Sequence, residues 1–141
     1  MKISARNQFP GHIKKVQKGA VNSDVILDIG DGLEIFASIT NVAVVELALA
    51  PGTPAVAVIK SSFVLLSPDS DVKISARNRL NGTISAILPG SVNTEVKVEL
   101  AGGRILTAII TIEGLKELGL TVGSTCTALI KASHVLIAVD D

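Results

Sequence analysis

The chain has 141 residues, enough for one ordinary domain or two very small ones. Its 13 basic and 13 acidic side chains cancel, which argues against a protein drawn to nucleic acid by charge. With no Trp or Tyr and only Phe9, Phe36 and Phe63, base stacking on single strands is poorly supported, and a single cysteine, Cys126, rules out an internal disulfide and fits a reducing compartment.

The mean hydropathy of +0.53 raises the question of a membrane. The charge-free runs are broken: "APGTP" interrupts Leu47–Ile59, and "NG" and "PG" interrupt Leu80–Thr94. A spanning helix needs roughly 20 predominantly apolar residues, and no such run exists. The start "MKISARNQFPG" lacks the apolar core of a signal peptide. A cytoplasmic protein without a membrane partner is expected.

The hexapeptide "KISARN" at Lys2–Asn7 returns at Lys73–Asn78. A shift of 71 positions aligns Lys2–Ser67 with Lys73–Ala138 without a gap, and about 26 of those 66 positions are identical. The chain is a fused pair, joined at "SPDSDV". In chain order, "KISARNQF" and "KISARNRL" read as opening strands, with Gly11 and Gly82 interrupting them as bulges or bends. "HIKKVQ" and "TISAIL" read as second strands that end in "KGAVN" and "PGSVN" turns. "SDVILDI" and "TEVKVEL" alternate as strands, and "GDG" and "AGG" read as tight hairpin turns. "LEIFASIT" and "RILTAIIT" are fourth strands.

The period then changes. "NVAVVELAL" and "IEGLKELGL" fit a short helix, with Thr40 and Thr111 as N-caps. "PGTPAVAVIK" and "VGSTCTALIK" return to strand, and "SFVLL" and "SHVLIAV" close each copy. The expected fold is all-β: two tandem OB-like five-stranded barrels, each with one short helix. Residues 1–67 form the first module, 68–72 the linker and 73–139 the second module. A module this small buries only about 60% of its unfolded surface, so further burial in an oligomer is expected.

The two copies differ at most positions, so the polar residues they share are informative. These include Ser4/Ser75, Arg6/Arg77, Asn7/Asn78, Asn22/Asn93, Thr40/Thr111, Lys60/Lys131 and Ser62/Ser133. Other charges are lost freely: Lys14, Lys15 and Lys18 face Ser85, Ala86 and Pro89. Cations and hydroxyls retained together suit a small oxyanion, because both are directed donors. Thr40 and Thr111 also sit where a helix start offers unpaired N–H groups. The bland alternative makes the cations solvated edge residues and the hydroxyls caps.

The ordered set "ISARNxxxG", then "IT" before a helix, then "IKSS" or "IKAS", resembles the Mop domain of the transport-associated OB (TOBE) group. Two in tandem are similar to a di-Mop molbindin of the ModG type. The resemblance covers nearly the whole chain. It implies storage or homeostasis of molybdate or tungstate in the cytoplasm, with the oxyanion as bound ligand, no organic cofactor and no bare metal cation. It also implies a homotrimer with anion sites between modules of neighbouring subunits. Carried over by position, the binding residues are Ser4, Arg6, Thr40, Lys60 and Ser62 in the first copy and Ser75, Arg77, Thr111, Lys131 and Ser133 in the second. A second kind of site falls on the turns Gly19, Ala20, Val21, Asn22 and Gly90, Ser91, Val92, Asn93. Phe63 in "KSSF" becomes His134 in "KASH"; this position reads as a surface residue or, beside the anion, as a point where the copies differ in affinity or pH response.

Enzyme readings are weak, and no catalytic residue is assigned. His12 and His134 lie at non-equivalent positions, and there is no HExxH, CxxC or Walker-type loop. Asp24/Glu95 and Asp28/Glu99 read as solvated strand faces, and Cys126 as packed in a strand. The runner-up function is a molybdate-sensing regulatory module that docks on a transporter or transcription factor. A nucleic-acid-binding OB protein is a third reading, disfavoured by neutral charge and scarce aromatics.

Overall fold

The computed structural model describes residues 1–140 and contains two five-stranded antiparallel sheets. The first repeat supplies β1 (Asn7–Lys18), β2 (Asn22–Gly30), β3 (Leu33–Thr40), α1 (Asn41–Glu46), β4 (Pro54–Ile59) and β5 (Leu65–Ser67). The second supplies β6 (Asn78–Pro89), β7 (Asn93–Glu99), β8 (Ile105–Thr111), α2 (Ile112–Leu118), β9 (Thr125–Ile130) and β10 (Val135–Ala138). Short 3-10 turns, Ser61–Phe63 and Ala132–His134, precede the two closing strands.

The compact units cross the repeat boundaries. Residues 1–59 join residues 132–140, and residues 60–131 form the other unit. In the first unit the sheet order is β10-β4-β1-β2-β3; in the second it is β5-β9-β6-β7-β8. β10 ends the second repeat, yet it pairs with β4 of the first: Val135 opposes Ile59 and Ile137 opposes Ala57. β5 ends the first repeat and pairs with β9 of the second, Leu65 opposite Leu129. The repeats found at residues 1–67 and 73–139 are therefore units of sequence, while each folded unit is closed by the other repeat's last strand.

Each unit has its own core. Val25, Leu27, Ile35, Ala57, Ile59 and Val135 are fully buried in the first, and Val96, Val98, Leu106, Ala108, Ala128 and Ile130 in the second. Full burial of a Val, Leu or Ile side chain contributes about 1.5–3 kcal/mol. Strict alternation along β2 and β7 places one face of each strand in these cores. The two outer strands of each list, β3 with β10 and β8 with β5, also come into contact, which curls each sheet towards closure.

The opening segments differ from the sequence expectation. Lys2–Arg6 is not strand, and β1 starts at Asn7; β6 likewise starts at Asn78. The expected first and second strands are one continuous 12-residue strand in each copy. Gly11 does not interrupt it. Here the backbone of β2 comes so close that an added Cβ would lie 2.1 Å from the Asp28 carbonyl oxygen. Gly82 meets the Glu99 carbonyl oxygen in the same way, at 2.6 Å. The bulges fall later, between Ile13 and Lys15 and between Ile84 and Ala86.

The turns follow their chemistry. Asp31 and Gly32 both have positive φ, 55° and 76°, as a two-residue hairpin of the mirror-image type requires. The Ala101–Gly103 loop is a wider three-residue turn, closed by the Leu100 amide donating to the Arg104 carbonyl at 2.7 Å. No helix is long and apolar enough to cross a membrane among the described residues.

Candidate functional site

Thr40 and Thr111 stand at the junctions of β3 with α1 and of β8 with α2. Each hydroxyl oxygen accepts from the amide three residues on, Ala43 at 3.1 Å and Gly114 at 3.0 Å. The N-caps read from the sequence are present, and capping leaves each hydroxyl proton available to an acceptor outside the helix. With six and seven residues, α1 and α2 are too short to hold an anion by their ends alone. Any site here depends on discrete side-chain and loop donors.

In the first unit, Thr40 lines a cleft of about 310 Å³ with Asn22, Ser38, Ala43, Leu47 and Ser133. Leu136, which is exposed, forms part of its apolar wall together with Ile39, Val135 and Ile137. The first-repeat Thr40 thus shares a cleft with the second-repeat Ser133. The position-by-position expectation named Thr40 and Ser62 in the first copy and Thr111 and Ser133 in the second, and left open which modules share a site. The reason for the shared cleft is the exchange of closing strands, which carries the 3-10 turn Ala132–His134 onto β3. In the second unit the 3-10 turn Ser61–Phe63, with Ser62, packs on β8, which ends at Thr111.

Register brings in two further residues. Asn22 pairs with Thr40 across β2 and β3, and Asn93 pairs with Thr111 across β7 and β8. Asn22 was expected in the separate turn site, but in the first unit it shares the Thr40 cleft. Ser38 was missed: its partner in the second repeat is Ile109, so comparing the copies gave no signal.

The turns themselves are tightly tied. The Gly19 amide donates to the Asn22 carbonyl at 2.9 Å, and the Gly90 amide to the Asn93 carbonyl at 2.8 Å. Asn41 pins the first turn, donating its side-chain amide to the Gly19 carbonyl while its backbone amide donates to the Val21 carbonyl. Val21 and Val92 project from the tips, 72% and 69% exposed.

The cations occupy the ends of the central ladders. Arg77 immediately precedes Asn78, Lys131 immediately follows Ile130, and Asn78 pairs with Ile130. The Asn78 side chain, buried, also donates to the Ile130 carbonyl at 3.2 Å. Arg6 and Lys60 flank the matching pair, Asn7 and Ile59. Of the shared asparagines, Asn7 and Asn78 are buried, whereas Asn22 and Asn93 are exposed. All ten candidate ligands, Ser4, Arg6, Thr40, Lys60, Ser62, Ser75, Arg77, Thr111, Lys131 and Ser133, are exposed. At the position read as a surface residue, Phe63 is exposed and His134 is half-buried.

The remaining chemistry is sparse. No group of three or more metal-ligating side chains occurs among the described residues. Asp24, Asp28 and Glu99 are exposed strand residues, as expected of solvated faces, whereas Glu95 is half-buried. Cys126 is buried in β9, and burial pushes its thiol pKa up.

The TOBE domain matches the chain twice, at residues 3–66 and 74–137. The solved structure of ModG, a cytoplasmic molybdate-binding protein with molybdate bound, superposes with a TM-score of 0.95. It is 44% identical, and the match covers 99% of this chain and 100% of that one. The molybdenum-pterin-binding protein MopA of Rhodobacter capsulatus is 43% identical over 98% of this chain and 52% of its own length. The molybdenum transport protein ModE of Herbaspirillum seropedicae is 42% identical over 99% of this chain and 52% of its own length. The chain thus spans about half the length of these two relatives. It belongs to the TOBE domain family, with two copies of the domain in tandem.

Proposed function

We propose that this protein binds molybdate, and tungstate by the same chemistry, and acts in storage or homeostasis of the oxyanion in the cytoplasm. The observation that carries the reading is the full-length similarity to ModG, a molybdate-binding protein. The donor set agrees with it: hydroxyls of Thr40, Ser62, Thr111 and Ser133, with Lys60, Lys131, Arg6 and Arg77 to offset a dianion's charge. Ser4 and Ser75 add hydroxyl and backbone donors beside the arginines. No bond is made or broken, so no catalytic group and no organic cofactor is needed.

Exposed donors hold an anion weakly, because water competes for each contact and screens the charge. All ten candidates are exposed in the single chain. A site at which a second copy covers the donors lowers the local dielectric and strengthens every contact. This supports inter-subunit sites in a homotrimer, and occupancy then stabilises the oligomer by mass action. A rigid site fitted to a large tetrahedral dianion rejects sulfate, which cannot reach all donors at once.

Thermal unfolding tests the reading. Molybdate is expected to raise the melting temperature of the wild type, and the gain is expected to vanish in Lys60→Ala combined with Lys131→Ala. Undiminished stoichiometry in the double variant contradicts this assignment. Light scattering tests the trimer. The second reading, a sensor, is favoured by the half-length match to the longer ModE relative. A pull-down with and without molybdate separates the two: a partner captured only with the anion favours sensing.

A further inference from the structure

The two repeats keep the lysine of "KSSF" and "KASH" but change the residue three places on, Phe63 in one and His134 in the other. Lys60 carries its ammonium over the Phe63 ring, 5.7 Å from the ring centre. A cation at that distance is attracted to the negative ring face. The residue three places after Lys131 is an imidazole instead, and His134 is half-buried while Phe63 is 41% exposed. An imidazole is also a poorer face for a cation, and it repels one once protonated.

A free lysine side chain loses rotamer freedom when it meets an anion, and that loss weakens binding. A lysine already held over a ring has lost part of that freedom beforehand. From this geometry we infer that Phe63 is a positioning residue that makes the two oxyanion sites of one chain unequal, the Lys60 site being preorganised and the Lys131 site not. The inference rests on the molybdate reading above and adds a rank order to it. Phe63 acts through Lys60 and does not itself touch the anion. The ring remains compatible with binding because the three N–H donors of the ammonium are not consumed by a ring face.

The test uses the full chain and molybdate itself. Side-chain nuclear magnetic resonance signals of Lys60 and Lys131 are followed separately during titration. Before any ligand is added, Lys60 is expected to show a ring-current shift that disappears in Phe63→Leu and persists in Phe63→Tyr. Phe63→Leu is expected to weaken binding at Lys60 by about two- to fivefold, the range of an exposed cation–π pair. Lys131 is expected to be unaffected, and Phe63→Tyr to restore the Lys60 value. Equal weakening at both lysines, or no change at Lys60, overturns the inference while leaving molybdate binding intact. A Lys60 signal that carries the ring shift but ignores molybdate in the wild type overturns the molybdate reading and the inference with it.

Discussion

Val135 lies opposite Ile59 in one sheet, although the two residues belong to different copies of the repeat. Both are fully buried, so the contact is part of the first unit's core. Val135→Ala is therefore expected to loosen the first unit, at a cost on the order of 2 kcal/mol for the lost methyl groups and the cavity left behind. Native-state hydrogen exchange checks this. Faster exchange is expected in β4, at Val56 and Val58, and little change in β6 and β7. Loss of protection confined to the second repeat contradicts the strand exchange.

This exchange is also what the sequence could not reveal. "VLLS" and "VLIA" close the two copies with the same pattern, so either can pair with β4 or β9 without misplacing a buried residue. Hydrophobic period reports the face of a strand, not which of two equivalent neighbours it joins. Features decided by local chemistry were legible: the Thr40 and Thr111 caps, the Asp31-Gly32 turn and the repeat itself. The start of β1 was not, because Lys2–Arg6 carries strand-like residues but finds no partner strand. The Thr40 and Ser133 grouping was hidden for the same reason as the exchange, since it follows from it.

Gly11 and Gly82 were read as interruptions but serve close approach between strands. Gly11→Ala forces a Cβ against the Asp28 carbonyl, and backbone must shift to admit it. A loss of about 1–3 kcal/mol is expected, as for other overpacked sites. Gly82→Ala is expected to act in the same direction against Glu99 and Val98. Denaturant unfolding of each variant measures it; a change below about 0.5 kcal/mol in both contradicts the approach described.

The caps allow stability and binding to be separated. Aspartate is at least as good an N-cap as threonine, so Thr40→Asp and Thr111→Asp are expected to hold stability within about 0.5 kcal/mol. The added negative charge faces the proposed anion, and molybdate affinity at the altered corner is expected to fall at least about tenfold. Thr40→Ser keeps both properties. Unchanged affinity in both aspartate variants would remove Thr40 and Thr111 from the site.

Cys126 gives a pH dependence with a definite sign. Burial raises its thiol pKa in the folded state, so the unfolded chain releases the proton first as pH rises. The contribution is fully present below the unfolded thiol pKa, about 8.5, and is lost as pH climbs through the raised folded value. The equivalent residue in the other repeat is Ala55, also buried in its strand. Cys126→Ala is thus expected to fold and to lose part of the alkaline drop in stability. Urea unfolding at pH 7.5 and pH 10 checks it; identical pH slopes in both proteins contradict the assignment.

The central claim is that this chain holds molybdate in preference to smaller oxyanions. Titration calorimetry with molybdate, and with sulfate as control, tests it most directly on protein whose mass is set by light scattering. Several molybdates bound per proposed trimer, with little or no heat from sulfate, are expected. No molybdate heat, or equal binding of sulfate, would contradict it.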